Sequence, residues 1–144
     1  MKLYAALLDD AHQGWVWLQN PALPARSVVK ISNPANGKSV YCETLQIETN
    51  FLAQYNQSPR YNIKDPSSSL VIGAWYRAAL GGLQAQTEVS LSVTPANSWW
   101  GKFGACIHHP QIVVRLSAWL GGIGFVLGII GFVLGVLSVW PPRA

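Results

Sequence analysis

Short apolar runs punctuated by turn residues fill the first two thirds of the chain, and an unbroken apolar run fills the rest. Gly14 to Leu18 (GWVWL) is compact enough for a strand, ended by Asn20-Pro21, and Pro21 and Pro24 make a linker. Ser27 to Ile31 is rich in β-branched residues and predicts a strand. Asn33 to Lys38 then forms a turn, with Asn36-Gly37 supplying positive φ values, and Ser39 to Ile47 returns as the second half of a hairpin. Gln54 to Pro59 is polar and predicts a loop, and Tyr61 to Lys64 a further strand. Asp65 to Ser69 offers helix caps, so Leu70 to Leu80 is expected to be a helix of about three turns, stopped by Gly81-Gly82. Thr87 to Thr94 alternates, with Val89, Leu91 and Val93 on one side and Glu88, Ser90 and Ser92 on the other, as a half-buried strand does.

From Leu116 to Trp140 there are 25 residues without a charge. A helix rises 1.5 Å per residue, and about 20 residues cross the hydrocarbon core. Trp119 and Trp140 are separated by roughly 31 Å of helix, the spacing of the two bilayer interfaces that Trp favours. Pro141-Pro142 end the helix. The expectation is one C-terminal transmembrane helix, with a soluble domain at 1–110 and an anchor with a short tail at 111–144.

Six glycines fall in this span although glycine is a poor helix former. Gly121, Gly124, Gly128, Gly131 and Gly135, extended by Ser117 and Ser138, step by four and three in turn, so all seven share one face; Gly122 stands apart. Lipid tails are as apolar as leucine, so helices associate in a bilayer by close packing, which small residues permit. The row predicts a contact with a transmembrane helix, of a second copy or of another membrane protein. A period of 3.5 favours a left-handed crossing and an isolated GxxxG a right-handed one, and both remain open.

Charge adds little to this picture. The net charge is +4, and the eight basic and six acidic residues up to His109 leave +2, scattered and without a basic run. A nucleic-acid surface clusters its cations, so no nucleic-acid partner is expected. Arg115 and Lys102 before the span outnumber Arg143 after it, which biases the N-terminal domain to the cytoplasm. Asp9-Asp10 break the opening apolar run, so no signal peptide is expected; with so short a tail, this is the layout of a tail-anchored protein. Trp99, Trp100 and Phe103, with Lys102 between them, fit either the headgroup region or a place beneath the soluble domain. Trp99, Trp100, Trp119, Trp140, Arg115 and Arg143 are the candidate membrane-interface residues.

A strand, an NPANGK turn, a return strand, an Asp and a short helix closing on Leu-Gly together resemble the double-psi β-barrel of rare lipoprotein A and its relatives. The residues that carry the resemblance are Val29 to Val40, Asn62 to Asp65 and Trp75 to Gly81, within a stretch of about 27–94. It implies an α+β fold, a small β-rich barrel with a short helix. The catalytic relatives bear an acidic Gly-Pro loop after the second strand, where this chain has Glu48-Thr49-Asn50-Phe51. The resemblance therefore implies a fold and not peptidoglycan cleavage.

No catalytic site is expected. Glycoside cleavage needs two placed carboxylates, and nothing pairs Glu43, Glu48 or Asp65, of which Glu43 and Asp65 suit a surface. The chain has no GxSxG, P-loop or GxGxxG motif. Cys42 and Cys106 form no CxxC or Cys/His ligand set and are expected as half-buried free thiols, and His108-His109 as interfacial residues, so no metal and no cofactor are expected. The function expected is a non-enzymatic accessory or assembly subunit held in the membrane; the alternatives are a self-assembling membrane-perforating effector with the barrel as sensor, and a degenerate barrel hydrolase.

Overall fold

The computed structural model of the chain describes residues 1–57 and 62–139. Six strands, β1 (Lys2–Ala5), β2 (Trp15–Leu18), β3 (Arg26–Ser32), β4 (Ser39–Gln46), β5 (Ser69–Ile72) and β6 (Ser92–Pro95), form one sheet in the order β1-β5-β2-β4-β3-β6. β1 pairs with β5 and β2 with β4 in parallel, while β2/β5, β3/β4 and β3/β6 are antiparallel. The stretch before β6 runs along β1: Gln86 N–H donates to the Leu3 carbonyl at 2.8 Å, and Leu3 N–H to that of Thr87 at 3.0 Å. One continuous segment thus borders both edges of the sheet and closes it into a barrel, which leaves no long unpaired edge. With the helices α1 (Thr49–Tyr55), α2 (Ala74–Ala79), α3 (Trp99–Ile107) and α4 (Ile112–Val139), the fold is α+β with a long apolar C-terminal helix.

The β3/β4 hairpin follows the alternation of its sequence. Val29 and Ile31 face Val40 and Cys42 inside, and the intervening residues lie nearer solvent. Its turn differs in detail from the expectation, because Gly37 has a φ of 72° and Asn36 has no positive φ. A turn over Asn33–Asn36 is followed by one left-handed residue, so only glycine at position 37 is needed. The side chains of Asn33 and Asn36 are freed for another task, and both donate to the Leu80 carbonyl at 2.9 Å, at the C-terminal end of α2. The NPANGK turn and the Leu-Gly helix end are one assembly.

The helix expected over Leu70 to Leu80 is instead a strand and a shorter helix. β5 is buried at every position, because Leu70 and Ile72 face the barrel interior while Val71 faces a second cluster with Tyr4, Ile47, Phe51, Tyr55 and Ile63. A strand covered on both sides is apolar without alternation, which periodicity alone does not separate from a buried helix. Asp65 does cap, but it caps a 3₁₀ turn at Pro66–Ser68. Asn62 to Lys64 is not a strand; Tyr61 lies outside the described residues, as do Trp140, the Pro141-Pro142 stop and Arg143. Strand pairing in the expected Thr87 to Thr94 segment is concentrated in β6, yet its alternation holds: Val89, Leu91 and Val93 pack on the core.

Candidate functional site

α3 joins the barrel to the long helix. Ser98 caps it, its hydroxyl accepting from Gly101 N–H at 3.2 Å. Small residues let α3 lie close on the barrel: a side chain at Gly101 would strike the Ala96 carbonyl, and a β-carbon at Gly104 would lie 3.0 Å from the Tyr41 ring. The aromatic side chains leave on the other side. Trp99 and Phe103 stack with centroids 5.9 Å apart, Trp99 lies 6.2 Å from Phe125 of α4, and Phe103 lies against Gly122. α3 therefore runs back along the first half of α4 as the short arm of a helical hairpin.

The bend is fastened to the barrel. Trp75 Nε1 donates to the His108 carbonyl at 2.9 Å, and the Arg115 guanidinium lies 4.4 Å from the Trp75 ring centre. Arg115 also donates to the carbonyls of His109 and Pro110, at 2.8 and 3.0 Å. The His109 ring occupies the space where a Gly14 side chain would begin, and Gly14 has a φ of 75°, so position 14 suits glycine on both counts. Burial there holds the His109 imidazole below its ordinary value; nearby Arg115 pushes the same way, and a hydrogen bond with the Gln13 carbonyl opposes both. His108 Nδ1 is 2.8 Å from the Gly104 carbonyl. Arg115 thus clamps this bend.

α4 is long and apolar enough to cross a membrane, and none of its residues is buried. Its glycines divide into two kinds. At Gly121, Gly124, Gly128, Gly131 and Gly135 an added β-carbon would meet nothing within 4 Å, whereas at Gly122 it would lie 3.2 Å from Phe103 Cζ. At 100° per residue Gly122 is about 140° around the helix from the centre of the five-glycine row, so the row from Gly124 to Gly135 faces away from α3, while Gly121 borders the space beside it. Ser138, at one end of the row, closes its hydroxyl on the Gly135 carbonyl at 2.8 Å, and Ser117 at the other end is exposed. Trp99, Trp100 and Trp119 are 60%, 73% and 56% exposed, so neither tryptophan of the pair packs beneath the barrel.

The carboxylates lie elsewhere. Glu43 forms a two-pronged pair with Arg26, one arm at 2.7 Å. Asp65 accepts from the Ser67 and Ser68 hydroxyls at 2.6 Å, and those bonds hold its carboxyl below the ordinary range. Glu48 lines an open cleft of about 370 Å³ together with Asp9, Asp10, Trp17 and Phe51. Asp10 receives both neighbouring indoles, Trp15 Nε1 at 3.2 Å and Trp17 Nε1 at 3.1 Å. In the sequence Asp9 and Asp10 stand only as a break in the apolar run; the like-facing indoles of Trp15 and Trp17 are the signal for Asp10. Cys42 is fully buried and Cys106 exposed, both as free thiols, so neither is the half-buried group expected.

No known protein family matches the chain, and no curated protein matches it. Among solved structures it is similar to the rationally designed protein mkDPBB_sym2, at 13% identity and a TM-score of 0.44, over 66% of this chain and 94% of that one.

Proposed function

We propose that this protein is a non-enzymatic accessory or assembly subunit, carried in the membrane by α4 with its barrel on the cytoplasmic side. The observation that carries the proposal is the split among the glycines of α4. The one glycine off the row already receives a ring from α3, while the five on the row face outward with open space before them. In lipid, a glycine row gains little from acyl chains and much from a second backbone. The row from Gly121 to Gly135 therefore packs on a transmembrane helix of another copy or of a different membrane protein. Lys102 and Arg115 precede the span, and Arg143 follows it, which supports the cytoplasmic orientation.

A membrane-perforating assembly requires a polar lining or a gated constriction, and the closure of Ser138 on its own helix leaves the row less polar still. A degenerate barrel hydrolase draws its support from the Asp9/Asp10/Glu48 cleft. The leading proposal is tested by purifying the full chain from membranes after cross-linking. A cross-linked species that disappears in Gly128→Ile and Gly131→Ile supports it, and identical cross-linking in both variants rejects it. Turnover of a glycan that is lost in Glu48→Gln transfers the function to the cleft.

A further inference from the structure

Between the aromatic face of α3 and the first half of α4 lies an open groove of about 780 Å³, with walls that are almost wholly apolar. Trp99, Phe103 and Cys106 form one wall, and Trp119, Gly122 and Phe125 lie on the other. The groove opens on the outer surface of the helix that is long enough to cross a membrane. Phe103 meets Gly122, three residues past Trp119, the residue expected at the near bilayer interface. The midpoint of α3 then lies within about 5 Å of that interface.

A cation stands at that depth. On the wheel of α3, Lys102 falls beside Cys106, on the edge of the groove face opposite the Trp100 edge. It is exposed, and the one ion pair among the described residues joins Arg26 and Glu43 instead. The chain has no acidic residue after Glu88, so neither α3 nor α4 supplies an acid to neutralise it. The result is an apolar trough with one unpaired lysine on its edge.

We propose that this groove is the binding site of one anionic phospholipid, with an acyl chain laid against Phe103, Trp119 and Phe125 and the phosphate paired with Lys102. A protein helix suits the groove less well, because the bulk of Trp99, Trp100 and Trp119 holds a second backbone away, and of the glycine row that admits one only Gly121 reaches the groove wall. The inference rests on the reading of α4 as a membrane-crossing helix.

The test uses the full chain reconstituted in bilayers of equal parts phosphatidylcholine and phosphatidylglycerol, re-extracted in mild detergent, with the retained lipids weighed by class. Phosphatidylglycerol is expected to be enriched about fivefold over the bilayer ratio by its contact with one lysine. Lys102→Gln, an exposed change, is expected to retain lipid without the enrichment, and Phe103→Ala to retain less of both. Equal retention of the two lipids by the unaltered chain, or enrichment that survives in Lys102→Gln, overturns the assignment. Resistance to alkaline carbonate extraction separates the two readings. A chain that resists extraction without enriching lipid loses the lipid site and keeps the anchor, and a chain that washes off loses both.

Discussion

Phe103 of α3 rests its ring edge on Gly122 of α4, so close that a β-carbon at position 122 would stand 3.2 Å from Cζ. This contact holds the short arm of the hairpin against the long helix, and it distinguishes two classes of glycine within one apolar segment. Substitutions of the same size have different consequences on the two sides of α4.

Gly122→Leu is expected to push α3 off α4, costing about 1–3 kcal/mol by overpacking, and to leave helix association intact. Gly128→Ile is expected to do the reverse, weakening association about tenfold through lost backbone approach without disturbing α3. Ile129→Ala changes neither by a comparable amount. Energy transfer between labelled copies in bilayers reads association, and tryptophan emission of the α3 cluster reads the hairpin.

The Asn33 and Asn36 amides both donate to the Leu80 carbonyl, and Asn33 is the more deeply buried of the two. Asn33→Ala is expected to destabilise the barrel by about 1–3 kcal/mol, because it removes a buried amide that bonds both the Leu80 carbonyl and Ala35 N–H. Asn36→Ala costs less, because its bond to the same carbonyl is made from an exposed position. Thermal unfolding of the full chain in detergent ranks the two; equal losses would deny the turn its capping role.

What was legible in the sequence follows from how local each signal is. The β3/β4 hairpin alternates over seven and eight residues, and the uncharged run of α4 is longer than a bilayer requires, so both stand out without tertiary context. β5 was read as helix because Leu70, Val71 and Ile72 are each buried, which removes the period of two. α1 went unseen because its seven residues carry no cap signal, and Phe51 is held by stacking on Trp17 at 4.2 Å, a contact between distant segments. The glycine row was legible as spacing. That Gly122 has its own partner was not, because Phe103 belongs to a helix that the short aromatic stretch did not announce.

The two cysteines should separate cleanly under labelling. Cys42 is enclosed in the barrel, and burial pushes its thiol well above the ordinary range, with Glu43 adding to the effect. It is expected to resist maleimide until the barrel unfolds. Cys106 is exposed on the groove wall. In detergent-free bilayers it is expected to react with a small apolar maleimide faster than with a charged one, as the proposed lipid site requires. Equal rates for the two reagents would place that wall in water. The count of labelled thiols before and after denaturation, by mass, checks both parts.

The bend between α3 and α4 should weaken in acid. His109 is held below its ordinary value of 6.5, chiefly by burial against the Gln13–Gly14 loop and further by Arg115. A histidine whose folded value is depressed binds its proton more readily in the unfolded chain. Stability is therefore fully present above about pH 6.5, and it falls as the pH drops from there toward the folded value. Proton uptake places a second cation beside Arg115, which already spends two donors on the His109 and Pro110 carbonyls. The acid-induced loss is expected to appear first at the bend, as faster amide exchange from His108 to Arg115, and the melting temperature should decline over the same range. His109→Gln removes the titrating group and is expected to flatten the decline between pH 7 and 5. A variant with the same acid sensitivity as the unaltered chain would assign the effect to another group.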